Sequence, residues 1–229
     1  MLSSTWTSIV TRYPPATIEV TGSALLQLTI LLLYFAKSFT TRPKDRPALL
    51  HCLPLCITNI VLAGVSHAVF LYIVSLTRDI PFEETSLSTI SPNLPSIQEL
   101  SKGFIQGTIL FDITFYTLHT LLHRGILYKR IHSVHHRFVS SVSLAAYYSH
   151  PAEFVLVNFG SAVILSSLMR AHVVSQFIMG ALSQVIALYI HEQGEISWLL
   201  VSHDGHHVRP GTNLGSVGVM DWLCGTLGR

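Results

Sequence analysis

Nine histidines in the second half of the chain have spacings that suit chemistry. His119 and His123 in HTLLH stand i, i+4, so on a helix they share one face. His132, His135 and His136 in HSVHH are spaced i, i+3, i+4, which also predicts convergence on one helical face. His203, His206 and His207 in HDGHH repeat that spacing, and His191 ends the last apolar run. Neutral imidazole suits Fe, Zn, Cu and Ni, and a helix presents two or three rings on one side without strain. Eight or nine imidazoles are too many for one ion, whereas two ions with open positions fit the count. With no thiolate and few carboxylates, the set points to redox iron more than to structural zinc.

The other histidines read differently. His51, His67 and His172 are isolated in or beside apolar runs and are expected to be hydrogen-bonded core residues. Cys52, Cys56 and Cys224 are odd in number and lack CxxC, so neither a disulfide framework nor a cysteine zinc site is expected. Cys52 and Cys56 read as helix packing.

The elements that must carry these residues are apolar. Of 229 residues 49% are hydrophobic and 11% charged, against roughly 25% charged in an average soluble domain. So little charge cannot clothe a globular surface in water, and an all-α, multi-span membrane base is predicted. A net charge of +2 without a Lys/Arg stripe argues against nucleic acid. The first residues lack the basic start of a signal peptide, so the first apolar run is expected to stay as an anchor.

Segment 18–39 is long enough to cross as a helix of roughly 20 residues, and 49–76 forms a second run. Segment 103–123 is a third, ending in His119 and His123. Segments 154–169 and 172–190 are each a little short, which fits a tight hairpin dipping into the membrane as well as two crossings. Lys37, Arg42, Lys44 and Arg46 place the 37–47 loop in the cytosol by the positive-inside rule. The 77–101 loop then falls in the lumen, and 103–123 returns the chain to Arg124, Lys129, Arg130 and Arg137 in the cytosol. One topology thus puts every histidine cluster on the cytosolic face.

The blocks around these histidines resemble a known family. FDITFYTLHTLLH, LYKRIHSVHH, SHPAE, and HDGHH followed by Asn213–Gly215 and DWLCGT are similar to the motifs of the fatty acid hydroxylase/sterol desaturase superfamily. The resemblance covers roughly residues 104–226 and divides the chain into anchoring helices with a lumenal loop, 1–102, and a catalytic domain, 103–229. Two positions depart from the family pattern: Thr120 stands where relatives carry Arg, and the block at His191 reads HEQGE.

The resemblance implies a cytosol-facing di-iron cap over the membrane base, in the endoplasmic reticulum. His119, His123, His132, His135, His136, His203, His206 and His207 are its expected ligands, with His191 a ninth. Asp112, seven residues before His119, is expected either to orient an imidazole or to sit at a helix–helix contact. Glu153 and Asp204 are further supporting candidates, and His150 a hydrogen-bond partner beside the ligands. Glu195 is expected either to face solvent or to ligate, and Asn213 and Trp222 read as structural. A lipid-like substrate (sterol, fatty acyl or specialised lipophilic metabolite) would enter from the bilayer and be hydroxylated, oxidised or desaturated with O2. Electrons would come from NAD(P)H through a reductase and cytochrome b5.

Three rivals are weaker. A haem electron carrier needs facing histidines near mid-membrane, where only His67 falls. Metal transport places its site at the bilayer midplane, whereas these clusters lie at basic helix ends. An inactive family member is opposed by the completeness of every box.

Overall fold

The computed structural model describes residues 2–138, 142–193, 196 and 201–228. Among them the chain is helical, with one isolated bridge between Thr89 and His172. Prolines and caps decide where the long helices begin. Helix α1 (Leu2–Arg12) is followed by α2 (Pro15–Thr41), which opens on a proline whose missing N–H would have been unpaired in any case. Helix α3 (Arg46–Arg78) has Pro47 in its first turn. Helix α4 (Ile97–Leu122) opens on a capping box: Ser96 Oγ accepts the Glu99 N–H at 3.2 Å, and the Glu99 carboxylate accepts the Ser96 N–H at 2.7 Å.

After the histidine turns come α6 (Pro151–Glu153), a π-helical stretch Phe154–Phe159, α7 (Gly160–Met169) and α8 (Val173–Gln193). Pro15–Thr41, Pro43–Arg78, Pro151–Met169 and Val173–Glu192 are long and apolar enough to cross a membrane. The last two have 19 and 20 residues, and at 1.5 Å per residue each reaches about 30 Å. Both therefore have the length of a full crossing. The predicted 103–123 segment forms the second part of α4 and its cap residue His123, and α4 is not among these four; Asp112, His119 and several threonines lower its hydropathy.

The molecule is apolar on its outside. Leu33, Leu76 and Leu168 are 66%, 64% and 67% exposed, an arrangement suited to hydrocarbon. Inside, Leu31, Leu49, Cys52, Cys56, Leu144, Phe154 and Leu188 pack as one core. The buried carboxylate of Glu19 is paired within the bundle. Glu19 accepts the Leu87 and Ser88 N–H groups at 3.0 and 3.2 Å and faces His67 Nε2 at 3.0 Å. The Thr89 N–H donates to Ala171 O at 3.0 Å, and the Val173 N–H to Thr89 O at 2.9 Å. The loop after α3 is thus stitched to the α7–α8 turn at one end of the bundle. The histidine-bearing ends of α4 and α8 lie at the other.

Candidate metal centre

Gly125, at φ +47°, makes the left-handed reversal after α4 that a side chain would resist. It turns the chain through α5 (Gly125–Arg130) into a 3-10 turn, His132–Arg137, which lies over the end of α4. His132 Nε2 then stands 3.0 Å from His119 Nε2, 2.9 Å from His123 Nε2 and 3.0 Å from His136 Nε2. Helix α9 (His203–Val208) adds His206, whose Nε2 is 3.2 Å from that of His123. These five form one group whose candidate ligand atoms all lie within 4.8 Å of one another. His135, His191, His203 and His207 form a second group by the same measure, with His203 Nε2 2.8 Å from His191 Nε2 and 3.0 Å from His207 Nε2. All nine histidines singled out in the sequence fall in these two groups.

The HxxHH boxes do not each serve one group. His132 and His136 go to the first group and His135 to the second; His203 and His207 go to the second and His206 to the first. Consecutive residues on a helix point roughly 100° apart, so the adjacent histidines of a box form a fork that reaches two places.

Hydrogen bonds on the outer nitrogens fix the tautomers. His119 Nδ1–H donates to Leu214 O at 2.7 Å, His206 Nδ1–H to Thr212 O at 2.8 Å, and His191 Nδ1–H to Ala187 O at 2.7 Å. A carbonyl only accepts, so each of these Nδ1 atoms holds the proton and each Nε2 presents a lone pair. His132 Nδ1 faces buried Glu153 Oε1 at 2.9 Å, the carboxylate–histidine pairing found behind metal ligands. Lone pairs aimed at one another across about 3 Å repel, and a cation among them removes the repulsion. The residues fit a metal. Burial first, then neighbouring His206 and His191, holds His136 down to about 4. Burial likewise leads the lowering of His132, His203 and His207, so the rings stay in the neutral, ligating form at pH 7.

The Leu214 carbonyl that receives His119 is itself held. Asp221, on α10 (Val219–Cys224), accepts the Leu214 and Gly215 N–H groups at 2.8 and 2.7 Å. Asp112 accepts the Ser216, Val217 and Met220 N–H groups, each at 2.8 Å. Its hydrogen bonds go to this turn rather than to an imidazole, so its link to His119 runs through the backbone. A Cβ on Gly215 would lie 2.7 Å from Asp221 Oδ2 and 2.8 Å from Asp112 Oδ1, which only glycine avoids.

The remaining sequence candidates are placed as follows. His150 Nδ1 accepts the Ala152 N–H at 3.2 Å, a helix cap outside both groups. Glu195 and the Asp204 side chain lie outside the described residues. Asn213 donates to Ser202 O at 3.1 Å and accepts the Gly228 N–H at 2.8 Å, tying the tail to α9. Trp222 is 68% exposed. His67 is buried against Glu19, and His172 Nδ1 accepts the Val174 N–H at 3.1 Å. His51 is exposed, with Nε2 3.2 Å from Tyr148 OH, and so is not a core residue.

Glu192 was not anticipated. Buried beside His191, it pairs with Lys37 and accepts from Ser38 Oγ at 2.9 Å, which fixes the end of α8 against α2. Its signal was an acid closing an apolar run in a chain with a basic 37–47 loop.

A helical bundle of membrane-crossing length, capped by two convergent imidazole groups, defines a histidine-box membrane protein. The sequence model for "Fatty acid hydroxylase" matches residues 104–226, and the chain belongs to that family. It is 29% identical over 171 residues to a fatty acid hydroxylase of Mycosarcoma maydis, covering 74% of this chain and 43% of that protein. It is 26% identical over 251 residues to methylsterol monooxygenase 2-2 of Arabidopsis thaliana, covering 98% of this chain and 91% of the relative. A very-long-chain aldehyde decarbonylase of Oryza sativa is 29% identical over 132 residues, 52% of this chain and 49% of the relative. The chain thus spans less than half of the fungal and rice proteins and nearly all of the Arabidopsis one. No solved structure matches.

Proposed function

We propose that this protein is a membrane-bound di-iron oxidoreductase that uses O2 to hydroxylate, oxidise or desaturate a lipid-like molecule. One observation carries the reading: nine buried or half-buried imidazoles in two abutting groups, with His119, His206 and His191 held in tautomers that aim a lone pair inward. Iron is favoured over structural zinc because the groups contain neither thiolate nor directly ligating carboxylate. When bound, the iron pair supplies activation of O2 toward an unactivated C–H bond. The chain's own residues keep the rings neutral and oriented: the Leu214, Thr212 and Ala187 carbonyls hold Nδ1 protons, and Glu153 braces His132. Their burial excludes water from the reacting space.

The names of the relatives refer to fatty acids, methylsterols and very-long-chain aldehydes. A lipophilic substrate entering from the bilayer is the common reading. Residues 1–102 then serve as anchor and lumenal loop, and 103–229 as the catalytic part. Arg124, Lys129, Arg130, Arg137 and Arg209 are exposed, whereas Asp112, Glu153, Glu192 and Asp221 are buried. This basic surface supports docking of an acidic electron donor such as cytochrome b5, itself reduced from NAD(P)H through a reductase. The same positive charges support an orientation with the histidines facing the cytosol, in the membrane of the endoplasmic reticulum on the family reading.

The test compares lipid extracts of cells with and without the protein, alongside metal analysis of the purified chain. A product heavier by one oxygen or lighter by two hydrogens, together with bound iron, is expected. Iron-loaded protein that leaves every lipid unchanged would overturn the enzymatic reading.

A further inference from the structure

We infer that α10 is seated in the bilayer boundary, with Val219, Trp222 and Leu223 turned into lipid; the inference rests on the membrane-bound reading. These residues stand i, i+3, i+4, so they share a face. They are 39%, 68% and 63% exposed. The one charged residue of the helix, Asp221, points the other way and is fully buried. Val208, which ends α9, is likewise exposed, at 65%.

Depth identifies the occupant. Helix α10 is held against α4 by the Met220 N–H on Asp112 at 2.8 Å, and Tyr116 OH lies 3.2 Å from Thr226 Oγ1 just beyond it. Asp112 is seven residues before His119, which places it about 10 Å back along the helix from the histidine end. The short helix therefore lies alongside the bundle, below the cap, rather than on top of it. Neighbouring turns of α4 expose Ile109 and Ile113 at 48% and 40%, and α4 packs against α7, the second half of the crossing-length segment Pro151–Met169, and against α8. On the membrane-bound reading, the apolar face of α10 meets the same hydrocarbon as these exposed residues of α4. An interfacial helix buries its apolar face about 5–10 Å into the headgroup and acyl boundary, and tryptophan prefers that level. Because Asp221 of the same helix holds the Leu214 segment that receives His119, one short element touches both the bilayer and the shell of the metal centre.

The test leaves Trp222 as the sole tryptophan through Trp6→Phe and Trp198→Phe, in protein reconstituted into phosphatidylcholine vesicles. Trp222 emission is expected to be lost when the acyl chains carry bromine near the headgroup, and to survive aqueous iodide. Quenching by iodide but not by brominated lipid overturns the inference. Insensitivity to both, as when a second copy or another protein covers the face, also overturns it. A nitroxide on Leu223→Cys in a Cys224→Ser background decides the matter independently if the tryptophan variant fails to fold. Faster collision with oxygen than with a water-soluble nickel chelate is expected, and the reverse order overturns the inference. Alkaline carbonate extraction of the same membranes separates the two readings. A chain that stays with the membrane while Trp222 meets water defeats only the α10 inference, and a chain that is extracted defeats both.

Discussion

His135 and His136, adjacent in the chain, face different histidine groups, with ring centroids 5.7 Å apart and planes at 83°. His206 and His207 do the same from α9, with centroids 5.8 Å apart. Each box therefore walls both groups. His135→Ala and His206→Ala each remove one nitrogen from a different group, and both are expected to abolish product formation. Iron per chain should fall to one or none in either variant, read by metal analysis of purified protein. Wild-type iron and activity in either would refute the assignment of that residue.

Glu153 reaches the metal centre only through His132. Replacing such an outer partner typically costs 10–100-fold in metal affinity or activity. Glu153→Gln keeps the shape and an accepting oxygen but cannot ionise when a metal binds His132, so a loss of about 10-fold is expected. Glu153→Ala should lie nearer the upper end. Competition with a metallochromic chelator reads this directly, and an unchanged affinity in Glu153→Ala would show that His132 needs no brace.

Much of this was legible in the sequence, because the 3.6-residue period and the imidazole count need no knowledge of the fold. The long apolar runs fixed the bundle, and the histidine boxes named all nine members of the two groups. What escaped depends on contacts between distant segments. Asp112 and Ser216 are separated by 104 residues, and no local pattern shows that a carboxylate in α4 will gather backbone N–H groups from the tail. Glu192 was passed over because its partner Lys37 lies 155 residues away. The crossing of His135 and His206 escaped because the spacing gives a shared helical face but not which distant rings each imidazole meets.

Asp112 supplies the acceptor for three backbone N–H groups at 2.8 Å and is itself fully buried. Asp112→Asn keeps one accepting oxygen and turns the other position into a donor facing a donor. A buried N–H left unpaired costs about 1–3 kcal/mol. The variant should melt several degrees lower and bind iron more weakly, because Leu214 O loses its fixed position under His119. Circular dichroism melting and the metal spectrum together check this. Lowered stability with an unchanged metal spectrum would confine Asp112 to a structural role.

Topology has its own test. In a chain with Cys224→Ser, the remaining Cys52 and Cys56 are buried, so a thiol placed at Asn93 in the loop after α3 is the accessible one. It should resist a membrane-impermeant maleimide in vesicles with the cytosolic face outward, and react once detergent opens them. Ready labelling in sealed vesicles would reverse the orientation proposed here.

The buried histidines also set a direction for pH. In the folded, metal-free protein His136 titrates at about 4, against roughly 6.5 in an unfolded chain. Burial lowers His132, His203 and His207 in the same direction. As the pH falls through about 6.5 the unfolded chain takes up protons that the folded one refuses, so unfolding is favoured. The stability these groups contribute is complete above about pH 6.5 and is lost progressively toward 4. Iron binding needs the same neutral rings, so metal should be released over the same interval. The check is the melting temperature of chelator-stripped protein in detergent across that range, with iron content followed in parallel. A melting temperature that stays flat from neutral pH down to about 4 would mean that the imidazoles are already protonated or solvated, and that the inward lone pairs on which the metal assignment depends are not there.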